Sequence, residues 1–249
     1  MADRYFFDRP ITASHATLDG PEAHHLIHVM RIRPGDQIIV FDGSGSEFAA
    51  TVSRLDRRTV ALDIGPRREV DRELPSSVEI GVALPKGDRG RWLVEKLTEL
   101  GVTRIVPLTT VRSVVRVDEK SLGRLRRGVV EASKQCGRNR LLEITSPQPW
   151  QSYVESAAAP WRLVAHLAPS GTTPLAISVS AGAELAIAIG PEGGLIDEEA
   201  EAAVAAGWRI VGLGPRILRV ETAAVALAAW AADQVMTAAD ARSQQHRPA

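Results

Sequence analysis

Apolar and polar residues alternate in short segments over the first part of the chain. A turn of Gly43, Ser44 and Gly45 between two such segments predicts a hairpin. One helix interrupts the strands: Pro21 is favoured at a helix start, and the helical pattern runs to Arg31, before a Pro-Gly-Asp turn. The strand patterns lie at residues 4–7, 37–42, 47–55 and 59–64. Together these elements predict a small β-barrel over residues 1–73.

Beyond residue 77, longer apolar strands alternate with amphipathic helices. This alternation predicts an α/β domain over residues 74–249, with a mostly parallel sheet covered by helices. Asp197 is the predicted cap of one helix. The polar stretch 65–77, which contains Pro66 and Pro75, is the predicted linker. Strands are predicted at 78–84, 104–108, 163–167, 184–189 and 209–213, and helices at 89–100, 122–135, 197–206 and 221–238.

Two loops follow buried strands of the second domain, Gly-Pro-Glu-Gly-Gly at 190–194 and a longer loop at 214–222. Ligands of open parallel sheets bind beyond the carboxyl ends of the strands, and glycines let the backbone approach a ligand closely. A tight strand-to-helix turn has the same composition, so the glycines alone leave both interpretations open. Neither GxGxxG nor GxxxxGK[ST] is present, which disfavours a dinucleotide fold and a P-loop.

The charges are unevenly distributed, although 30 Lys and Arg residues balance 30 Asp and Glu residues overall. Residues 1–73 hold 10 basic and 12 acidic side chains, residues 74–150 hold 14 and 8, and residues 151–249 hold 6 and 10. The basic middle segment fits an anionic partner, and a solvated helix face would fit it equally well.

Other features narrow the class of protein. The single Cys136 cannot form an intramolecular disulfide, and the chain does not open with a signal-peptide pattern, so we expect a cytoplasmic protein. The most apolar run, 223–232, is shorter than the about 20 residues that span a bilayer, which predicts no membrane contact. His24, His25 and His28 lack the Glu of an HExxH motif, so we predict no metal site.

Five strings carry a resemblance to a known family. They are HLIHVMRIRPGD, KGDRGRWLVEKLTELGVTRIVPL (86–108), EASKQCGR (131–138), IGPEGGLIDEE (189–199) and LGPRILRVETAA (213–224). In this order they resemble the bacterial 16S ribosomal RNA uridine-N3-methyltransferases of the SPOUT, or α/β-knot, superfamily, over nearly the whole chain. The pairing of the fourth string with the fifth is the most specific part.

The resemblance implies a PUA-like β-barrel for RNA binding at 1–73. It also implies a SPOUT methyltransferase domain with a deep trefoil knot at 74–249, a homodimer, and S-adenosylmethionine as cofactor. The apolar run 223–232 is then expected to be buried in the dimer interface or in the knot. The matching positions for the cofactor are Leu167, Ile189, Gly190, Glu192, Gly193, Gly194, Leu213, Ile217, Leu218 and Thr222.

Methylation of uridine N3 requires a donor for the negative charge that develops on the uracil ring and an acceptor for the N3 proton. Arg219 is the candidate donor, because its guanidinium presents paired N–H groups in the second loop. Glu221 is the candidate base; alternatively it only complements the dipole of the helix that starts there. The chemistry needs no metal.

Basic residues of both domains are candidate phosphate ligands in 16S ribosomal RNA, expected within the small ribosomal subunit. Two other functions fit the same residues: a non-enzymatic RNA-binding or ribosome-assembly factor with this fold, and a knotted methyltransferase for another RNA site. The candidate RNA-binding residues are Arg9, His25, Arg31, Arg33, Lys86, Arg112, Arg116, Lys134, Arg138 and Arg140.

Overall fold

A computed structural model describes residues 3–114, 117–166, 177–180 and 182–245, without the side chains of the last three. The chain forms two units. Unit 1 comprises Met1–Glu73 and Val130–Leu141, and unit 2 comprises Leu74–Val129 and Leu142–Ala249. In the described residues, no helix has both the length and the apolar character needed to cross a membrane.

Unit 1 is built on a five-stranded sheet in the order β1-β3-β4-β5-β2. β1 is parallel to β3, and the other neighbouring pairs are antiparallel. Alternate residues of β3 and β4 point into a core that contains Val40, Phe48 and Val52, which is the period expected of strands with one buried face. The strands are β1 (Arg4–Phe6), β2 (His15–Leu18), β3 (Gln37–Phe41), β4 (Ser46–Leu55) and β5 (Val60–Glu69).

The helix predicted from Pro21 to Arg31 consists of two parts. The α-helix α1 (Gly20–His24) continues as a π-helix, His25–Met30. Arg31 ends it in the left-handed conformation, with φ of 54°, and the N–H of Ile32 donates to the carbonyl of Leu26 over 3.2 Å. This winding buries Ala23 and Leu26 completely.

A network of buried charged and amide groups joins distant parts of unit 1. The Arg4 guanidinium donates to the Glu47 carboxylate over 2.7 Å and also to the side-chain oxygen of Asn139. Arg72 donates to Glu47 over 3.1 Å, and Arg138 pairs with Glu73. Burying these charges is tolerable only because they are paired. The pairing explains why residues 130–141 pack with the first 73 residues.

Unit 2 is built on a seven-stranded sheet in which every described pairing is parallel. Its order is β12-β10-β11-β6-β7-β8, and β9 also pairs with β7. All five residues of β11 are buried, as expected of a strand covered on both faces. The strands are β6 (Val78–Val82), β7 (Arg104–Thr109), β8 (Glu143–Ile144), β9 (Gln148–Pro149), β10 (Trp161–Ala165), β11 (Leu185–Ile189) and β12 (Arg209–Val211).

In the residues that the structure describes, five α-helices follow α1. Among them, α6 buries Ala224, Leu227, Ala228 and Ala231 but leaves Ala229 exposed, so its apolar run is not covered on every side within this chain. The trefoil knot and the closure of the first sheet into a barrel stay predictions. The helices are α2 (Asp88–Glu99), α3 (Glu119–Cys136), α4 (Trp150–Ser156), α5 (Asp197–Ala205) and α6 (Val220–Gln245).

Candidate functional site

The candidate site lies at the carboxyl edge of the unit 2 sheet. Because all the strands are parallel, the loops that follow β6, β7, β11 and β12 leave the sheet at this one edge. Both loops singled out from the sequence are among them. The order of the strands places β11 and β6 side by side in the middle of the sheet.

The glycine loop after β11 is tightly folded. Gly190 is buried, and a Cβ atom there would stand 2.9 Å from the side chain and 3.3 Å from the backbone nitrogen of Leu195. Gly194 has φ of 71°, and its N–H donates to the carbonyl of Pro191 over 2.8 Å. Only glycine adopts this conformation and this approach without strain. The loop therefore turns back on itself with Glu192 and Gly193 exposed.

The sequence predicts that Asp197 caps the helix α5 that follows the loop, and this prediction is wrong. Ile196 is the N-cap residue, and Asp197 is already the first helical residue. Glu199 performs the capping: one carboxylate oxygen accepts the N–H of Ile196 over 3.1 Å, and the other accepts the N–H of Val111 over 2.8 Å. The carboxylate must sit one turn inside the helix to reach back to the cap, as in a capping box. It fixes the loop after β7 to the glycine loop.

Arg112, in the loop after β7, also contacts the glycine loop. Its guanidinium donates to the carbonyl of Gly193 over 2.7 Å. A Cβ on Gly193 would lie 3.3 Å from the Arg112 side chain. Arg112, predicted to bind RNA, thus contacts the predicted cofactor loop while remaining exposed.

A cluster of one arginine and two glutamates lies across the site. Arg89, in the first turn of α2, donates to the Glu192 carboxylate over 3.0 Å, and its other terminal nitrogen lies 3.7 Å from Oε1 of Glu221. Glu221 is only 7% exposed. Among the described residues, no group hydrogen-bonds its second oxygen, Oε2. A buried carboxylate oxygen without a donor is rare and fits contact with a ligand.

The second loop leads into α6. Gly214 turns the chain with φ of 92°, and Ile217 is 83% exposed, whereas Leu213 and Leu218 are half-buried. The carbonyl of the exposed Arg219 accepts the N–H of Ala223 over 3.0 Å, so Arg219 stands at the start of the helix. The two predicted catalytic residues, Arg219 and Glu221, therefore lie in the first turn of α6 or directly before it.

The structure brings most of the predicted cofactor residues to this edge of the sheet. Ile189 is the buried last residue of β11, and Thr222 is exposed in the first turn of α6. Leu167, predicted to bind the cofactor, and Arg116, predicted to bind RNA, lie outside the described residues. In the described part of the chain, no cluster of three or more His, Cys, Asp or Glu side chains could hold a metal ion.

Two of the predicted phosphate ligands are occupied within unit 1. Arg138 is 3% exposed and pairs with Glu73, so its prediction as an RNA-binding residue is wrong: the guanidinium is turned into the protein. The Lys134 ammonium is similarly committed, because it donates to both carboxylate oxygens of Glu22 and its side chain is only 13% exposed. The exposed members of the set are Arg9, His25, Arg31, Arg33, Lys86, Arg112 and Arg140.

The sequence prediction missed Arg89 and Glu199. Arg89 had a usable signal, because it directly follows the loop after a predicted strand, at the same edge as the glycine loop. Glu199 had a weaker one, a Glu three residues after a position that precedes a helix. Neither signal identifies the partner residue, which lies 103 positions away for Arg89 and 88 positions away for Glu199.

Two family models match the chain. One, described as an RNA methyltransferase domain, matches residues 72–232. The other, described as an RNA methyltransferase PUA domain, matches residues 18–65. The matches overlap the sheets of unit 2 and unit 1, respectively.

Individual proteins resemble the chain over most of its length. The ribosomal RNA small subunit methyltransferase E of Bacillus subtilis is 33% identical over 218 residues, which cover 83% of this chain and 85% of that protein. A Legionella pneumophila methyltransferase solved with the bound cofactor SAM has 30% identity and a TM-score of 0.86, covering 92% of this chain and 96% of the other. The ribosomal RNA small subunit methyltransferase E of Neisseria gonorrhoeae, bound to S-adenosyl methionine, has 30% identity, the same two coverages and a TM-score of 0.81.

Proposed function

The chain belongs to the ribosomal RNA small subunit methyltransferase E family, and from this premise we propose that it transfers a methyl group from S-adenosylmethionine to N3 of a uridine in 16S ribosomal RNA. One observation carries the proposal. The glycine loop and the first turn of α6 meet at the carboxyl edge of a parallel sheet, where one buried carboxylate oxygen of Glu221 has no hydrogen-bond donor among the described residues.

The residues at this edge fit S-adenosylmethionine. The N–H of the exposed Gly193 and the carbonyl of the half-buried Gly194 offer hydrogen-bonding groups without side chains in the way. The half-buried Leu213 and Leu218, with Ile189, supply apolar contacts. The other proposed contacts are Leu167, Gly190, Glu192, Ile217 and Thr222. When bound, the cofactor supplies a methyl group that its sulfonium already activates.

Arg219 is proposed to stabilise the charge on the uracil. Loss of the N3 proton spreads negative charge over N3 and the two carbonyl oxygens, and a planar guanidinium can donate to two of these positions at once. Arg219 is exposed directly before α6, so it can approach a base that is presented from solution.

Glu221 is proposed to accept the N3 proton. Its carboxylate is buried beside Arg89, and in the described part of the chain no group hydrogen-bonds its second oxygen, which can accept a hydrogen bond from a ligand. A base must come within hydrogen-bonding reach of the proton that it removes. The position also suits a carboxylate that complements the dipole of α6, and the two roles are compatible.

Unit 1 and the basic segment are proposed to bind the RNA. The family match to a PUA domain falls on unit 1, and Arg9, His25, Arg31 and Arg33 are exposed there. In unit 2, Lys86 and Arg112 are exposed at loops of the carboxyl edge. Arg116 and Arg140 complete the proposed set. Each phosphate contact would release counterions and make the affinity salt-dependent.

The finer features of the family enter as further parts of the proposal. We propose a homodimer, a trefoil knot in unit 2, an assembled small subunit as the setting of the reaction, and the cytoplasm as its location. The exposed Ala229 and Met236 on α6 support the dimer, because burying them on a second copy would remove apolar surface from water.

The test is a methyl-transfer reaction with purified protein, S-adenosylmethionine and small-subunit RNA or subunits from cells that lack the enzyme. Mass spectrometry of the nucleosides should show N3-methyluridine appearing with time. A methyl group on another nucleoside would support a methyltransferase for a different RNA site. Calorimetry with S-adenosylmethionine distinguishes the enzyme from a non-enzymatic assembly factor. Such a factor would bind RNA but would neither bind the cofactor nor transfer a methyl group.

A further inference from the structure

We propose that Arg89 is a positioning residue that fixes the Glu221 carboxylate and the glycine loop relative to each other. The inference rests on the proposed function, because it assigns Arg89 to the same site. Arg89 acts through its two partners: it holds Oε1 of Glu221, so that Oε2 stays available to a ligand, and it holds Glu192 of the loop.

The geometry requires an arginine. One terminal nitrogen of the guanidinium lies 3.0 Å from the Glu192 carboxylate, within hydrogen-bonding distance, and the other lies 3.7 Å from Oε1 of Glu221, an ion-pair distance. The two nitrogens are fixed on one rigid plane, so they set the separation of the two carboxylates. A lysine ammonium is a single point of charge and cannot set it.

Three separate elements meet in this contact. Arg89 comes from the first turn of α2, Glu192 from the loop after β11, and Glu221 from the first turn of α6. The two partners differ in burial, because the Glu192 side chain is 42% exposed and that of Glu221 is 10% exposed. Solvent therefore weakens the pair with Glu192, whereas the neighbouring positive charge matters most to the enclosed Glu221.

The first turn of α2 contains a second ion pair, which differs from that of Arg89 because it lies within the helix. Arg91 pairs with Asp88 over 3.6 Å, and both of these side chains are highly exposed. This pair joins neighbours on one helix and touches neither loop. Arg91→Gln is therefore the matched control: it removes the same charge from the same turn without removing the contact between the elements.

The first measurement needs no cofactor or RNA. Hydrogen exchange of the free protein should show faster exchange in residues 190–195 and 220–224 for Arg89→Gln than for the wild type, because both segments lose an anchor. Arg91→Gln should leave both segments unchanged. Unchanged exchange in both segments of Arg89→Gln would overturn the proposal, whatever the activity of the protein.

The second measurement is kinetic. Arg89→Gln should lower kcat about 100-fold, the effect of a misplacement of about 1 Å, with a smaller change in the KM for RNA. Arg89→Lys should fall between the wild type and Arg89→Gln, because it keeps the charge and loses the fork. Arg91→Gln should keep kcat within about twofold. If Arg89→Gln unfolds in a thermal scan, Arg89→Lys carries the comparison, and wild-type kcat in it would contradict the proposal.

A double-variant cycle separates positioning from a general structural role. If Arg89 acts on catalysis through Glu221, then Arg89→Gln should cost little further kcat in a Glu221→Gln background. Losses that multiply would contradict the proposal. A wild-type protein that transfers no methyl group would instead contradict the proposed function, while the exchange comparison would still decide the role of Arg89.

Discussion

The two units place their buried charges differently. In unit 1, Arg4, Glu47 and Arg138 lie within the protein, each paired with another charged group. In unit 2, the central strand β11 is apolar throughout, and the buried carboxylates Glu199 and Glu221 lie in the first turns of the helices at the carboxyl edge. The buried carboxylates Glu47 in unit 1 and Glu199 in unit 2 therefore hold the fold, whereas Glu221 stands where a ligand is expected.

The carboxylates Glu47 and Glu221 also differ in their hydrogen bonds. Oε2 of the unit 1 carboxylate Glu47 accepts hydrogen bonds from Arg4, Arg72 and Asn139. One buried oxygen of Glu221 has no hydrogen-bond partner in the part of the chain that the structure describes. Such a group reduces stability unless a ligand completes it, which is a frequent property of functional sites. Substitution of Glu47 should therefore lower the stability of unit 1, whereas substitution of residues that face the ligand in unit 2 should lower activity.

The largest expected effect is on the stability of unit 1. Glu47→Gln leaves Arg4 and Arg72 without their shared counter-charge, and removing one partner of a buried pair costs about 3–5 kcal/mol of unfolding free energy. Urea titration followed by far-UV circular dichroism and by hydrogen exchange of β4 measures the loss. All five tryptophans lie in unit 2, so their fluorescence reports on that unit separately.

The control is Glu69→Gln in β5. Glu69 is 81% exposed and pairs only at the surface with Arg67, so the change should stay within about 0.5 kcal/mol. Equal losses for Glu47→Gln and Glu69→Gln would remove the distinction between the units.

Acid should reproduce the effect of Glu47→Gln. Burial by itself would raise the pKa of Glu47, but hydrogen bonds and charges from Arg4 and Arg72 outweigh burial and lower the pKa below its ordinary value of 4.5. The unfolded chain therefore binds this proton at a higher pH than the folded protein. The stability from Glu47 is fully present above about pH 4.5 and is lost as the pH falls towards the lowered pKa. Glu47→Gln should show a weaker decline of unit 1 stability below pH 4.5 than the wild type; identical declines would contradict this assignment.

In unit 2, Arg219→Ala should impair catalysis and not folding. Removal of one donor to a developing negative charge lowers kcat by about 10²–10³, or about 2.7–4 kcal/mol of transition-state stabilisation. The side chain is exposed, so we expect the urea midpoint to stay unchanged. Methyl transfer from labelled S-adenosylmethionine measures kcat. The exposed Arg216, in the same loop, provides the control Arg216→Ala, and a similar loss in that variant would indicate a general effect of charge.

A smaller effect is expected at the glycine loop. Gly190→Ala places a methyl group 2.9 Å from the Leu195 side chain, and overpacking of this kind costs about 1–3 kcal/mol. S-adenosylmethionine binding should weaken with it, as measured by calorimetry. Gly128→Ala in α3 is the control, because a Cβ atom at this position meets no atom within 4 Å. Replacing a glycine within a helix by alanine should raise the free energy of unfolding by about 0.5–1 kcal/mol. A gain of stability in both variants would show that the loop is not tightly packed.

The smallest effect concerns RNA binding by unit 1. Arg33→Ala should reduce the salt dependence of RNA affinity by about one unit of the log–log slope, if Arg33 contacts a phosphate. Arg54→Ala is the control in the same unit, because Arg54 is also exposed but pairs with Asp56 and is not among the proposed contacts. Filter binding at several salt concentrations gives both slopes. Equal slopes for wild type and Arg33→Ala would remove Arg33 from the RNA surface.

More of the fold than of the side-chain contacts could be predicted from the sequence. The α/β class with a mostly parallel sheet, the PUA-like first domain, the methyltransferase family and the cofactor are confirmed. Periodicity reveals such elements because burial repeats along each strand and helix. The strands β8 and β9 went unpredicted because two residues carry no period. Apart from Arg138, the site residues stay predictions, as do the domain limits at 73 and 74.

The buried contacts could not be predicted, because they join residues far apart in the chain. Arg4 bonds Glu47, 43 positions away, and Asn139, 135 positions away. The excess of basic side chains over residues 74–150 predicts Arg138 as an RNA-binding residue. Only the folded structure shows that its charge is already neutralised by Glu73. The same limit concealed the link from Arg89 to Glu192 and Glu221.

The membership of residues 130–141 in unit 1 has a consequence for synthesis on the ribosome. The first 73 residues leave the ribosome well before Arg138 and Asn139, which complete the buried polar network of unit 1. At about 5–20 residues per second, several seconds pass before these two residues are made. During that interval Glu73 lacks its guanidinium partner, so unit 1 should reach its final stability only after residues 74–129 of unit 2 have emerged.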